Sequence, residues 1–141
     1  MSLKLVRINY KNLKSKQQEN YNFQKLSGIL ADYGFMTMRL SDDWQGADFI
    51  AQHINGEIFL KVQLKSRLSF HKKYEGKDIQ IAFENNGTWY LFPHDELLKI
   101  VLRETKIGKT KSWIVKGGYH YPSLSKQLLL LLDPYKILPL N

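Results

Sequence analysis

The stretch that most constrains the fold runs from Glu57 to Lys65, EIFLKVQLK. Ile58, Leu60, Val62 and Leu64 alternate with Phe59, Lys61, Gln63 and Lys65, which is the period of a β-strand with one face in a core. Asn55-Gly56 stands just before it, a strong signal for a two-residue hairpin turn. Ala47 to His53 (ADFIAQH) supplies the strand on the other side of that turn. An antiparallel pair sets the start of one strand beside the end of the next. Asp48 therefore meets the end that carries Gln63 and Lys65. Those two residues share a face, and burying an amide and an ammonium without partners is costly. Their presence on an otherwise apolar strand points to a task or to an anionic partner.

The rest of the chain supplies elements to pack on this hairpin. Phe23, Leu26, Leu30 and Tyr33 recur at helical spacing, which predicts a helix from near Ser15 to Tyr33 with Gly34 as its C-cap. FMTMRL, from Phe35 to Leu40, reads as a short strand, and SDDWQG as the connector after it. Residues 66–77 are polar and basic and read as a mobile loop. DIQIAF, from Asp78 to Phe83, and TWYLF, from Thr88 to Phe92, read as two strands joined by an Asn86-Gly87 turn. Pro93 opens a helix over about 94–103, with Asp95 and Glu96 near its positive end. A basic connector, a short strand at Trp113–Lys116 and a last helix through Leu132, capped by Ser123 or Ser125, complete the order. That order predicts an α/β fold with helices packed on a sheet.

At 141 residues the chain suits one domain with one core. Its longest apolar run is LLLLL at 128–132, far short of the roughly 20 residues of a membrane span. The first residues, MSLKLVRINYKNLKSK, lack the apolar stretch of a signal peptide. Without cysteines there are neither disulfides nor thiolate zinc sites. These features predict a cytoplasmic protein without a membrane partner. Lys and Arg number 21 against 13 for Asp and Glu, a net charge of +8. Such an excess favours a polyanion, because each neutralised phosphate releases condensed counterions. The positive charge gathers modestly at 11–16, 61–73 and 103–116.

A carboxylate, an amide oxygen and an ammonium at one end of a hairpin have a chemical use. Phosphodiester hydrolysis employs a divalent cation held by hard oxygen ligands. The cation polarises the phosphate and lowers the pKa of a bound water. Asp48 is the main candidate ligand, with the Gln63 side-chain oxygen and the Leu64 carbonyl as further ones. Lys65 is the candidate to orient the attacking water and steady the phosphate's charge.

The stretch GADFIAQHINGEIFLKVQLKSR resembles the PD-(D/E)XK nucleases, the superfamily of many restriction enzymes, Holliday-junction resolvases and some homing endonucleases. That family places an Asp at a strand start, then a hairpin, then (D/E)-x-K on the next strand. Asp48 matches the first position and Lys65 the last, while Gln63 stands where Asp or Glu is usual. Gln there resembles the Q-x-K variant of Mrr-like restriction enzymes. The family's leading helix often contributes a metal-holding Glu; this chain has Gln24 at the matching place, with Glu19 and Asn20 one turn earlier. The resemblance spans roughly residues 17–100. It implies a restriction endonuclease-like core with a central mixed sheet of four to five strands flanked by helices. That core would occupy about 15–103 of a single domain, followed by a strand and helix extension over 104–141. It further implies a DNA endonuclease dependent on Mg²⁺ (or Mn²⁺), acting as a homodimer. The pathway, whether restriction, repair, junction resolution or homing, is left open.

Each residue also has a plainer reading. Asp48 caps the Gly46-Ala47 turn, Gln63 hydrogen-bonds within the sheet, and Lys65 is a strand-end lysine in solvent. Lys61 contacts phosphate or solvent, Gln24 is a helix-surface residue, and Glu57 is solvated. Arg67, His71, Lys72 and Lys73 follow the site and either grip a DNA backbone or line an exposed loop. His53, His94 and His120 lack metal spacing. Trp44, Trp89 and Trp113 are read as core or interface residues. Two other functions stand beside the nuclease. One is a catalytically inactive nucleic-acid binder on the same fold, and the other is an interaction or small-ligand domain that ignores nucleic acid.

Overall fold

The computed structural model describes residues 2–138, with the backbone alone at 42–44; the reading of Trp44 as a core residue lies outside the described side chains. The order is helix α1 (Ser15–Ala31), strands β1 (Phe35–Trp44), β2 (Ala47–His53), β3 (Phe59–Leu64), β4 (Ser69–His71), β5 (Ile79–Asn85) and β6 (Thr88–Pro93), then α2 (His94–Glu104), β7 (Gly118–His120) and α3 (Lys126–Leu132). Five strands form one mixed sheet in the order β1-β2-β3-β5-β6, and β4 pairs with β7 in a separate ribbon. In the main sheet only the β3–β5 pair is parallel. The fold is therefore α/β, with helices flanking a mixed sheet. No described helix is long and apolar enough to cross a membrane.

Two cores sandwich the sheet. Leu26 and Leu30 of α1 pack on Phe49, Ala51, Val62, Ala82 and Trp89. On the other face Leu97, Leu98 and Val101 of α2 and Leu128 and Leu132 of α3 bury Ile79, Ile81, Phe83 and Phe92. Trp89 and Trp113 are both buried, as the sequence suggests. α1 ends at Ala31, two residues before the expected Tyr33, and Gly34 turns the chain into β1 at φ +86°.

The hairpin register matches the turn read from the sequence. Gly56 has φ +74°, Asn55 Oδ1 accepts from the Glu57 N–H at 2.9 Å, and Phe49 faces Val62 while Gln52 faces Phe59. The ladder itself begins at Phe59 rather than Glu57. Leu60, Val62 and Leu64 turn toward the α1 core. Asn85 pairs with Thr88 across an Asn86-Gly87 turn whose two residues have φ +50° and +83°, the type I′ geometry that suits a twisted pair.

Three expectations are corrected. SDDWQG is not all connector: β1 continues to Trp44, and only Gln45-Gly46 turns the chain into β2. Residues 66–77 are not a mobile loop: they form most of the crossover that joins the parallel strands β3 and β5. Leu68, Phe70 and Tyr74 are buried in the α2-side core, and β4 lies within this segment. Trp113–Lys116 is not a strand. Ser112–Lys116 is a single π-helical turn that ends at Gly117 with φ +74°, and the strand of this region is β7, further on. Ser125, one of the two proposed caps, caps α3: its Oγ accepts from the Leu128 N–H at 3.2 Å.

Candidate functional site

The Phe49–Val62 pair puts the next pair along, Asp48 and Gln63, opposite each other at the end of the sheet. Asp48 sits one residue after Ala47, and Gly46 is why the chain can arrive there. Gly46 has φ +90°, and a Cβ on it would stand 2.9 Å from the Tyr74 ring. Asp48 Oδ2 accepts the Leu64 N–H at 2.8 Å, which fixes the carboxylate across the two strands. This contact of Oδ2 runs across to β3.

Asp48, Gln63 and Leu64 line a cleft of about 310 Å³ between the sheet end and the first half of α1. Gln63 is 8% exposed, and its Oε1 is buried with no hydrogen-bond partner among the described residues. An amide oxygen left this way forfeits its water without replacement, at a cost of about 1–3 kcal/mol. The in-sheet hydrogen bond of the plainer reading is not made by this oxygen.

Glu19, which the sequence places one turn before the expected Gln24, and Arg39, which sequence reasoning did not single out, complete the cleft wall. Glu19 of α1 reaches it, paired with Lys16 at 3.4 Å and with Arg39 at 4.0 Å. Arg39 of β1 also hydrogen-bonds Asn20 and lies 5.2 Å over the Phe23 ring. Gln24, the expected helix contribution, is exposed and does not line the cleft. Glu19 and Gln24 are about 140° apart around a helix of 3.6 residues per turn. The signal that favours Glu19 is the phase of the α1 stripe, in which Leu26 and Leu30 set the inward direction.

Lys65 directly follows Leu64 at the same end of β3. It lines an adjoining hollow that shares Tyr10, Asn22 and Ser66 with the cleft. Its ammonium lies 5.2 Å from the Tyr74 ring centre, and Lys73 stands at the same distance from that ring. Lys61 points elsewhere: its Nζ donates to the Lys77 carbonyl at 2.6 Å and so ties β3 to the end of the crossover.

The crossover is held by the start of α2. His94 is fully buried, and its Nε2 accepts the His71 N–H at 3.1 Å. Nδ1 therefore carries the proton, and it faces Asp95 Oδ1 at 2.9 Å. Asp95 Oδ2 accepts from the Gly76 N–H at 2.8 Å. Burial pushes the His94 pKa down, overcoming the opposing pull of Asp95. Against its own burial, the hydrogen bonds from His94 and Gly76 hold the Asp95 carboxyl below its usual range. His71 and His120 are also lowered, by desolvation and then by cations around them: Lys73 and Lys65 at His71, Lys65 and Arg67 at His120. Both imidazoles thus favour the neutral form in a strongly positive neighbourhood. His53 is a packing residue against Phe35.

The donor set can be tested for a cation. Mg²⁺ prefers hard oxygen ligands, keeps several waters and needs only one or two carboxylates. Asp48, the Gln63 amide and Glu19 offer such oxygens around one cleft. Among the described residues no three Asp, Glu, His or Cys side chains form a metal-holding group. A cation here has to count the Gln63 oxygen, which has no hydrogen-bond partner among the described residues.

No family model and no curated protein matches the sequence. Two solved structures share part of its arrangement. Hjc, a Holliday junction resolvase from the archaeal hyperthermophile Archaeoglobus fulgidus, is 17% identical, over 52% of this chain and 76% of its own, with a TM-score of 0.42. A bacterial homing endonuclease is 16% identical, over 82% of this chain and 80% of its own, with a TM-score of 0.43.

Proposed function

We propose that the chain is a metal-dependent endonuclease that hydrolyses DNA phosphodiester bonds, with Asp48 and Gln63 as the cation ligands and Lys65 as the cationic partner of the reacting phosphate. The observation that carries this reading is Gln63, which lines the cleft beside the anchored carboxylate of Asp48 and whose buried Oε1 has no hydrogen-bond partner among the described residues. A sheet maintains such an oxygen at a cost in stability, which is reasonable where the oxygen has a ligand to hold. Glu19 adds a second carboxylate from α1, and the Leu64 carbonyl adds a neutral oxygen.

A bound Mg²⁺ or Mn²⁺ supplies Lewis-acid polarisation of the phosphate and a water of lowered pKa. The protein's part is placement and charge. The Leu64 N–H holds the Asp48 carboxylate in one orientation. Lys65 rests on Tyr74 beside the cleft, and its flexible stem lets the ammonium meet a phosphate seated where the two hollows join. There it offsets charge developing on the phosphate oxygens and steadies the attacking water. Arg39 brings a second cation to the cleft wall. Arg67, Lys72 and Lys73 on the crossover, with the nearby His71, hold the DNA backbone and set its register without reading sequence. The resemblance to PD-(D/E)XK nucleases implies a homodimer, which would bring one site to each strand of a duplex.

Incubating the protein with plasmid, branched and single-stranded DNA in Mg²⁺ or Mn²⁺ tests the proposal. Cutting should need the metal and vanish in Asp48→Ala and Lys65→Ala. Salt-sensitive binding without any cutting, unchanged in both variants, would instead assign the chain to non-catalytic nucleic-acid binding. That outcome is favoured by one observation, the neutral amide at position 63.

A further inference from the structure

We propose that the region after α2 forms a second phosphate-binding surface: the turns at 107–116 and strand β7 join the crossover in one cationic platform for the backbone of duplex DNA. The inference rests on the nuclease reading and extends the DNA footprint to residues that the catalytic cleft does not use.

The platform is built by pairing. β4 and β7 run antiparallel, with Ser69 opposite His120 and His71 opposite Gly118. The Lys72 N–H donates to the Gly117 carbonyl at 2.7 Å, and the Lys72 ammonium lies 5.3 Å over the Trp113 ring. Ser112 Oγ donates to the Gly118 carbonyl at 2.6 Å, which folds the π turn back on the ribbon. Gly118 permits the closure, since a Cβ there would stand 2.6 Å from the His71 ring. Ile107 and Trp113 are buried in the α2-side core, so the turns are fixed in place while their lysines face solvent.

Charge is segregated on these segments. The sequence has no Asp or Glu from residue 58 to 74, and none from 105 to 132. Arg67, Lys72, Lys73, Lys109, Lys111 and Lys116 are all exposed. Among the described residues none of them has a carboxylate partner, whereas Lys16, Arg39, Arg103 and Lys136 do. Among the described groups, every charged side chain acting on His71 and His120 is basic. Gathering like charges on two paired segments is unfavourable by itself, and a polyanion removes the penalty. The platform also adjoins the cleft: Ser66 lines the cleft, and both Ser66 and Arg67 line a hollow with Tyr121, just beyond β7. Exposed Ile114 and Val115 sit between Lys111 and Lys116 and suit contact with sugar faces. A five-residue turn lacks the length of an amphipathic membrane helix, which favours DNA over a lipid surface.

The test is binding of a fluorescein-labelled 30-base-pair duplex in EDTA, measured by anisotropy from 50 to 200 mM salt. Wild type is compared with Lys109→Gln/Lys111→Gln/Lys116→Gln and with each single variant, all checked by circular dichroism. Each phosphate contact contributes about 0.9 to the slope of log affinity against log salt. Over this range three lost contacts shrink the affinity drop by about 40-fold, and a single one by about 3-fold. Metal-dependent cutting by wild type together with an unchanged salt slope in every variant would overturn the platform and leave the nuclease standing. Absence of any duplex binding by wild type would overturn both. Unchanged DNA binding with loss of binding to anionic phosphatidylglycerol vesicles would assign the surface to membranes and overturn the inference.

Discussion

Replacing Gln63 with leucine separates a ligand from a structural residue. The side chain is 8% exposed and its Oε1 has no partner among the described residues, so in the metal-free protein it is a standing cost. An unpaired buried amide is worth about 1–3 kcal/mol against folding, and leucine of similar size removes it. At this chain length 1 kcal/mol corresponds to about 3–4 °C in melting temperature. Gln63→Leu should therefore melt about 3–10 °C higher in EDTA, by differential scanning fluorimetry or urea denaturation. The same variant should lose on the order of 100-fold in metal-dependent cleavage, because one of few cation oxygens is gone. Stability and activity then move in opposite directions, as at a site that stores strain for function. A fall of several degrees would show that the oxygen is already satisfied, and unchanged cleavage would show that it holds no cation; either result refutes the reasoning.

Further outcomes follow from the same geometry. Gln63→Glu should tighten Mn²⁺ binding about tenfold while lowering the metal-free melting temperature, since an unpaired buried charge is costlier than an amide; melting curves with and without Mn²⁺ check both. Gly46→Ala should cost about 1–3 kcal/mol in urea unfolding, because its φ of +90° and the Tyr74 ring 2.9 Å away both exclude a methyl group, and cleavage should fall as Asp48 shifts. His94 is neutral in the fold with its pKa lowered below 6.5, so the unfolded chain takes up the proton first as pH falls. Stability is full above about pH 6.5 and is lost as pH drops through the folded pKa. His94→Asn should flatten that pH dependence in urea titrations, at some cost in stability near neutrality. Lys61→Met should cost about 1 kcal/mol by losing the Lys77 carbonyl contact. It should leave the salt dependence of DNA binding unchanged, as anisotropy can show.

The hairpin was the most legible part of the sequence because its information is local. Alternation in EIFLKVQLK set the faces, Asn55-Gly56 set the register, and together they set Asp48 against Gln63. The crossover was misread because its charge hides its core. In KSRLSFHKKY, Leu68, Phe70 and Tyr74 are the buried hydrophobic residues, but the basic residues around them suggested a solvated loop. The β-branched run of SWIVK suggested a strand, yet Ile114 and Val115 are exposed on a π turn closed by Gly117. Strand preference reflects packing against neighbours, and this segment lacks neighbours on that side. Arg39 escaped notice, and Gln24 was set ahead of Glu19, because their meeting depends on how α1 is rotated over the sheet. The resting place of the Lys65 ammonium was equally unreadable: it lies over the ring of Tyr74, nine residues further along the chain.

The central claim is that Asp48 and the Gln63 oxygen form a cation site. Its most direct test is a Mn²⁺ titration of the DNA-free protein, followed by electron paramagnetic resonance of the unbound ion. Wild type should bind one Mn²⁺ per chain, weakly for want of a second ligating carboxylate opposite Asp48. Asp48→Ala should abolish binding and Gln63→Leu should weaken it. No bound Mn²⁺ in wild type at millimolar concentration, or binding that Asp48→Ala leaves intact, would contradict the account.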